Sequence, residues 1–200
     1  ISHISFNASG TMIISVGKEL CRTVAVHNAH TGTIIGTGKI GTDIFVHALC
    51  VNGNLGFLSG GKNHMKFWDL PESSSTCGEL SSKAGLFGRS TTGDILSATF
   101  LNGDAITGMS SGSLILWKGR AMFKSIAAHP SAITAISNVS SKATSNKVDV
   151  ESIVQLVSGC QAGCVNVWNG QLEKHWSFDL RCGTPASVLP GIQAVALRHG

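Results

Sequence analysis

Charged side chains make up only 13% of this 200-residue chain, about half the share usual in soluble domains. The fifteen Lys and Arg residues stand singly, so there is no basic run of the kind that marks a nucleic-acid-binding arm. No apolar stretch approaches the roughly eighteen residues needed to span a bilayer, and no signal peptide precedes the body of the chain. The six cysteines (21, 50, 77, 160, 164 and 182) have no framework spacing. Most lie in or beside apolar strands, as in Leu49-Cys50-Val51, which predicts buried free thiols in a reducing compartment. Gly108, Gly112 and Gly159 open no helix, which excludes a phosphate-binding loop. The expectation from these absences is a soluble intracellular chain that binds neither nucleic acid nor membrane.

What is present is sheet. A mean hydropathy of +0.22 with 24 glycines describes apolar strands joined by small turns where the backbone needs positive φ. Four stretches line up on one another: Thr23-Val24-Ala25-Val26-His27-Asn28, His64-Met65-Lys66-Phe67-Trp68-Asp69, Ser113-Leu114-Ile115-Leu116-Trp117-Lys118 and Cys164-Val165-Asn166-Val167-Trp168-Asn169. Each is a short alternating strand ending in a ring and a polar residue. The rings at 27, 68, 117 and 168 lie 41, 49 and 51 residues apart. A WD-repeat propeller spends roughly 40–45 residues on each four-stranded blade.

The fold class read from this period is all-β, a WD40-type β-propeller with about four blades of a larger (seven-bladed) or tandem propeller. The whole of 1–200 is taken as part of one propeller. Its blade units are approximately 1–41, 42–90, 91–128 and 129–182, with the start of a further blade at 183–200. The first residue is Ile1, and Ala186–Leu197 contains the opening strand of another unit, so a piece of a longer protein is expected. Within the units, strands are predicted at Ile4–Ala8, Thr11–Gly17, Thr23–Ala29 and Thr33–Gly38. The second set is Ile44–Val51, Leu55–Ser59, His64–Asp69 and a fourth near Gly78–Leu86. The third is Ile95–Leu101, Ala105–Met109, Ser113–Trp117 and Met122–Ile126. The fourth is Ala132–Ile136, Ile153–Val157, Cys164–Trp168 and Leu172–Phe178. Asn138–Val150, rich in Ser, Asn and Lys, reads as an exposed insertion.

The third strand of each blade is expected to be buried on both faces, with its indole burying on the order of 150–250 Å² and needing a partner for its N–H. In WD repeats a Ser or Thr ending the second strand and a His before the first supply that relay. Ser158 with His129 are so placed for Trp168, and Ser59 and Thr107 for Trp68 and Trp117. The Asp that completes the relay is missing, since Asn63, Ser111 and Ala162 occupy its turn, so some buried polar groups must find other partners. The repeat register thus accounts for His129 and Ser158 without a catalytic triad. Cys160 and Cys164, with His175 and Cys182 beyond, offer one close-spaced pair where zinc ribbons need two. No catalytic, cofactor-binding or metal-binding residue is assigned, and the chain is not expected to be an enzyme.

Several segments resemble the echinoderm microtubule-associated protein-like (EMAP-like) family. They are Ser15-Val16-Gly17, Thr23-Val24-Ala25-Val26, Ser59-Gly60-Gly61-Lys62-Asn63-His64-Met65-Lys66-Phe67-Trp68, Gly85-Leu86-Phe87-Gly88-Arg89, Phe100-Leu101-Asn102-Gly103-Asp104 and Ile126-Ala127-Ala128-His129. The resemblance implies a cytoskeletal role in the cytoplasm, with tubulin or microtubules as partner and no cofactor. Oligomerisation would come from a segment outside this chain. Departures include His27-Asn28 in place of Trp-Asp. With a net charge of +4 and an acidic tubulin surface, the candidate protein-binding residues are the loop cations Lys18, Arg22, Lys62, Arg89, Lys118 and Arg120. The alternative is a WD-repeat scaffold for a non-tubulin complex in signalling or ciliary assembly.

Overall fold

A computed structural model describes residues 1–19, 21–42, 44–71, 77–88, 93–138, 154–181 and 191–196. They form two compact units, Ile1–Ile95 and Leu96–Gly200. Strands alone make up the regular structure among the described residues, and no helix there is long and apolar enough to cross a membrane.

In the first unit β1 (His3–Phe6), β2 (Met12–Val16), β3 (Cys21–Asn28) and β4 (Ile34–Thr42) form an antiparallel meander. The turns are set by asparagine. Asn7 Oδ1 accepts the Met12 amide at 2.9 Å, and Asn28 Oδ1 accepts the amides of His30 and Thr31. These are Asx turns, in which a short side chain stands in for a backbone acceptor. The second meander is β5 (Val46–Asn52), β6 (Gly56–Gly61), β7 (His64–Asp69) and β9 (Ser82–Ala84).

One face of β2 and β3 supplies Ile14, Val16, Val24 and Val26, which meet Val46, Phe57 and Trp68 in a common core. Trp68 stacks on Phe57, with centroids 5.8 Å apart. The indole also lies against Gly38, where a Cβ would come within 2.3 Å of its ring.

The fourth strand expected near Gly78–Leu86 is divided. β8 (Gly78–Glu79) pairs in parallel with β4, and only Ser82–Ala84 completes the second meander against β7. Gly36 is the cause on the β4 side. Its missing side chain leaves room for Leu80, whose Cδ2 would lie 2.7 Å from a Cβ there.

The second unit holds β10 (Ile95–Leu101, its first residue belonging to the first unit), β11 (Asp104–Met109), β12 (Ser113–Lys118) and β13 (Ala121–Ala127). Its other sheet is β14 (Ile133–Asn138), β15 (Leu156–Cys160), β16 (Cys164–Trp168) and β17 (Lys174–Asp179). β15 begins at Leu156 rather than at Ile153, which lies outside the described residues, as do 139–150 of the expected insertion. Leu101, Ile106 and Leu114 of one sheet share a core with Ile133, Leu156 and Trp168 of the other.

Burial on both faces is most complete in the second strands, not the third. β6 and β15 are buried throughout, whereas β7, β12 and β16 each carry half-buried positions. The reason is small residues after the hydroxyl, which let neighbouring β-branched chains approach. Ile133 fills the gap over Gly108, and Ile192 with Val195 fills the gap over Gly159. Residues 191–196 join no sheet, yet the Ile192 amide bonds Cys160 O at 3.1 Å. Ile192 therefore stands to Gly159 as Ile133 stands to Gly108.

Candidate protein-binding surface

Each ring that marks the repeat reaches a hydroxyl on the strand beside it. Trp68 Nε1 donates to Ser59 Oγ at 2.9 Å, Trp117 Nε1 to Thr107 Oγ1 at 3.0 Å and Trp168 Nε1 to Ser158 Oγ at 2.8 Å. In the first blade His27 Nε2 takes the same place against Ser15 Oγ at 3.3 Å. The ring sits diagonally opposite its hydroxyl in every case, a reach that only long or aromatic chains manage. Because an indole only donates, Ser158 must turn its own proton to His129 Nε2, 2.7 Å away. His64 does the same for Ser59 at 2.9 Å. That histidine opens the third strand, where the sequence reading assigned no relay role. A hydroxyl gripped from both sides and fully buried, like Ser158, is a packing element.

The candidate cations are placed unevenly. Lys18 and Lys62 are exposed on connections between second and third strands, and Arg22 is half-buried at the start of β3. Lys118 and Arg120 are exposed on a connection between third and fourth strands, which lies at the opposite end of an antiparallel blade. Lys118 is ion-paired to Asp104. Arg89 lies outside the described residues. The structure joins Arg22 and Lys62 through a residue the sequence reading passed over, Phe45. The Arg22 guanidinium lies 4.1 Å from the Phe45 ring centroid and donates to Ile44 O. The Lys62 amide donates to Phe45 O at 3.1 Å. Phe45 remains 54% exposed. A rigid aromatic with a cation stacked on it is the composition of an interface anchor.

The second unit carries a cavity of about 750 Å³ lined by Leu96, Ser131, Thr134, Gln161, Ile192 and Gln193. These residues offer hydrogen bonds without charge. Among the described residues no group of three or more His, Cys, Asp or Glu side chains is placed to hold a metal.

Solved structures with this architecture span nearly all of the chain. The computationally designed Ika8 protein superposes with a TM-score of 0.66 at 20% identity, over 98% of this chain and 52% of its own. The WD40 β-propeller domain of Doa1 gives 0.57 at 21% identity over 85% and 51%, and the Dos1 propeller gives 0.68 at 16% over 89% and 46%. The fold is a WD40-type β-propeller. The chain carries about four blades and spans about half the length of these structures. No family model matches it. A curated relative, the cilia- and flagella-associated protein 44 of Mus musculus, is 27% identical over 120 residues, 59% of this chain and 6% of that protein.

In this propeller the missing relay Asp leaves a trace. His129 Nδ1 is buried without a partner, as is Asn166 Oδ1. Burial, and secondarily the charge of Lys174, pushes the His129 pKa down to about 4. Burial and then Lys66 do the same to His64. The folded state thus favours neutral imidazoles, while the unfolded chain binds protons near 6.5. Their contribution is complete above that pH and is lost as pH falls from about 6.5 toward 4. Urea midpoints are expected to drop between about pH 7 and about pH 4.5. Ala162→Asp supplies the carboxylate that the relay lacks. It should add about 1 kcal/mol at neutral pH and make the acid decline shallower. An unchanged pH profile in the variant would show that the introduced carboxylate does not reach Nδ1.

Proposed function

We propose that this propeller is a non-catalytic, cytoskeletal protein-binding module of a microtubule-associated protein, and that it contacts tubulin through the Arg22–Phe45–Lys62 cluster. WD40 propellers typically act as non-catalytic interaction scaffolds, and the cilia- and flagella-associated relative supports a cytoskeletal setting in the cytoplasm. The EMAP-like segments, strongest over Ser59–His129, support tubulin in particular. The cluster carries the reading because it sets an exposed aromatic between a stacked guanidinium and a neighbouring lysine. That chemistry suits an acidic partner surface and steers association. Lys18 adds a further exposed cation to the same unit, and Arg89 extends the proposed set. Lys118, paired with Asp104, and Arg120 contribute less.

The test is titration of unpolymerised tubulin with the full-length protein at low and physiological salt. Saturable binding that weakens with salt is expected. Phe45→Ala, or Arg22→Glu with Lys62→Glu, should weaken it by about thirtyfold, as loss of an interface anchor does. Lys118→Glu should leave it within about twofold. Folded protein that binds tubulin at neither salt would turn the assignment to the second reading, a scaffold for a non-tubulin complex in ciliary assembly, which the mouse relative favours.

A further inference from the structure

We propose that Cys160 and Cys164 form a reversible disulfide, a thiol switch at the turn that forms part of the cavity wall in the second unit. The two residues end β15 and begin β16. Register through Leu156↔Trp168, Val157↔Val167, Ser158↔Asn166 and Gly159↔Val165 brings them opposite each other across the three-residue turn 161–163. Gly163, at φ 83°, closes that turn with its amide on Cys160 O at 3.1 Å. Directly opposed residues of an antiparallel pair have Cα atoms about 4.5–5.5 Å apart, inside the range of about 4.4–6.8 Å that a disulfide spans. Both residues are free thiols here, and the two side chains hydrogen-bond to each other.

The pair is asymmetric. Burial pushes the Cys160 thiol up, but the Ser131 hydroxyl, the amides of Cys164 and Ala162 and the Cys164 thiol outweigh it and hold the pKa below its ordinary value. Burial raises Cys164, and so do the nearby charges of Cys160 and Asp179, against the opposing pull of Arg181. One sulfur is therefore disposed to be the thiolate and the other to keep its proton, the division of labour between an attacking and a resolving thiol. Cys160 is buried, but Ser131, whose hydroxyl touches it, forms part of the cavity wall. Hydrogen peroxide is small enough to use that route.

The reaction balances with peroxide as oxidant. The Cys160 thiolate attacks one oxygen and breaks the O–O bond, giving a sulfenic acid and hydroxide. The Cys164 thiol then attacks that sulfur, forming the S–S bond and expelling water, while its proton goes to the departing oxygen. Two electrons have passed from the thiols to one peroxide, and a dithiol reductant restores the pair. The bond would fix the turn carrying Gln161 and Ala162, so the redox state would set the rim of the cavity.

The experiment exposes the full-length protein to hydrogen peroxide, blocks remaining thiols and maps the peptides by mass. The expected product is the peptide holding Cys160 and Cys164, lighter by two hydrogens and restored by dithiothreitol. Cys164→Ser should leave Cys160 as a sulfenic acid that dimedone traps, while Cys160→Ser should leave Cys164 as the thiol. Ser131→Ala should slow oxidation several-fold without loss of fold, since it removes one donor from the thiolate. Exposed Cys77 is the internal comparison. Oxidation of Cys77 with no link between 160 and 164, or dimedone labelling of Cys164 in place of Cys160, would overturn the proposal.

Discussion

Gly61→Ala is expected to cost at least about 3 kcal/mol and to dissolve the Arg22–Phe45–Lys62 cluster with it. A Cβ at Gly61 would sit 1.8 Å from Phe45 O, 2.8 Å from Phe45 C and 3.1 Å from Val46 Cα. Every one of those atoms is backbone, so no rotamer can relieve the overlap. Overpacked cores ordinarily lose about 1–3 kcal/mol because side chains move, and here the β5–β6 pair itself must part. The ladder is irregular at this place, with a register shift between Val46 and Ala48, and such irregularities draw two strands into unusually close approach. Gly10 is the contrast. It has φ 70° but open space around its Cβ position, so Gly10→Ala should cost only about 1 kcal/mol, from backbone strain alone. Urea unfolding of both variants gives the comparison. If they lose equal stability, the close approach at Phe45 is not as described. Tubulin binding by whatever Gly61→Ala protein remains folded should fall along with the stability.

Trp117→Ala should remove about 3–5 kcal/mol. Trp117 is the largest fully buried side chain among the described residues, and its truncation forfeits apolar contact on both faces of the ring. It also withdraws the indole proton from Thr107 Oγ1, at 3.0 Å, in a place water does not reach. Trp117→Phe separates these contributions, since it keeps most of the packing and loses the hydrogen bond, at about 1 kcal/mol. Calorimetric melting of the three proteins should therefore rank them wild type, Phe, Ala, with a large gap before Ala. A Phe variant as unstable as Ala would mean that the hydrogen bond, and not burial, governs the site.

The residues that could be read from sequence were those fixed by local periodicity. Alternation placed β7, β10 and β16 residue for residue, and the ring spacing located Ser59, Thr107 and Ser158 as the indoles' partners. What could not be read depended on long-range contact. His64 was invisible as a relay member because it opens the third strand, although a histidine five residues after a buried serine, across a two-glycine turn, is a usable signal. Phe45 looked like core because its neighbours are apolar. Only the fold shows that it is exposed and that Arg22 crosses to it from another strand. The ion pair of Lys118 with Asp104 joins the two ends of a hairpin, and a register drawn from the ring and hydroxyl positions would have brought those residues together. The division of the Gly78–Leu86 strand has no signature in its own residues. It is specified by Gly36, on the strand that receives it.

The docking of Trp68 on Gly38, and of Ile133 over Gly108, gives the array a direction. In the first pair a blade inserts its ring into a gap left in the blade before it. In the second it inserts a branched side chain from its first strand into the glycine of its predecessor's second strand. Neighbouring blades are thus matched as plug and socket, with the socket in both pairs on the earlier one. Duplication or loss of one full period keeps every plug facing a socket, wherever in the blade the break falls. Half a period leaves a ring opposed to a side chain rather than to a gap. Copy number in such a chain can therefore change in whole blades, and recombination that respects the period needs no compensating substitutions.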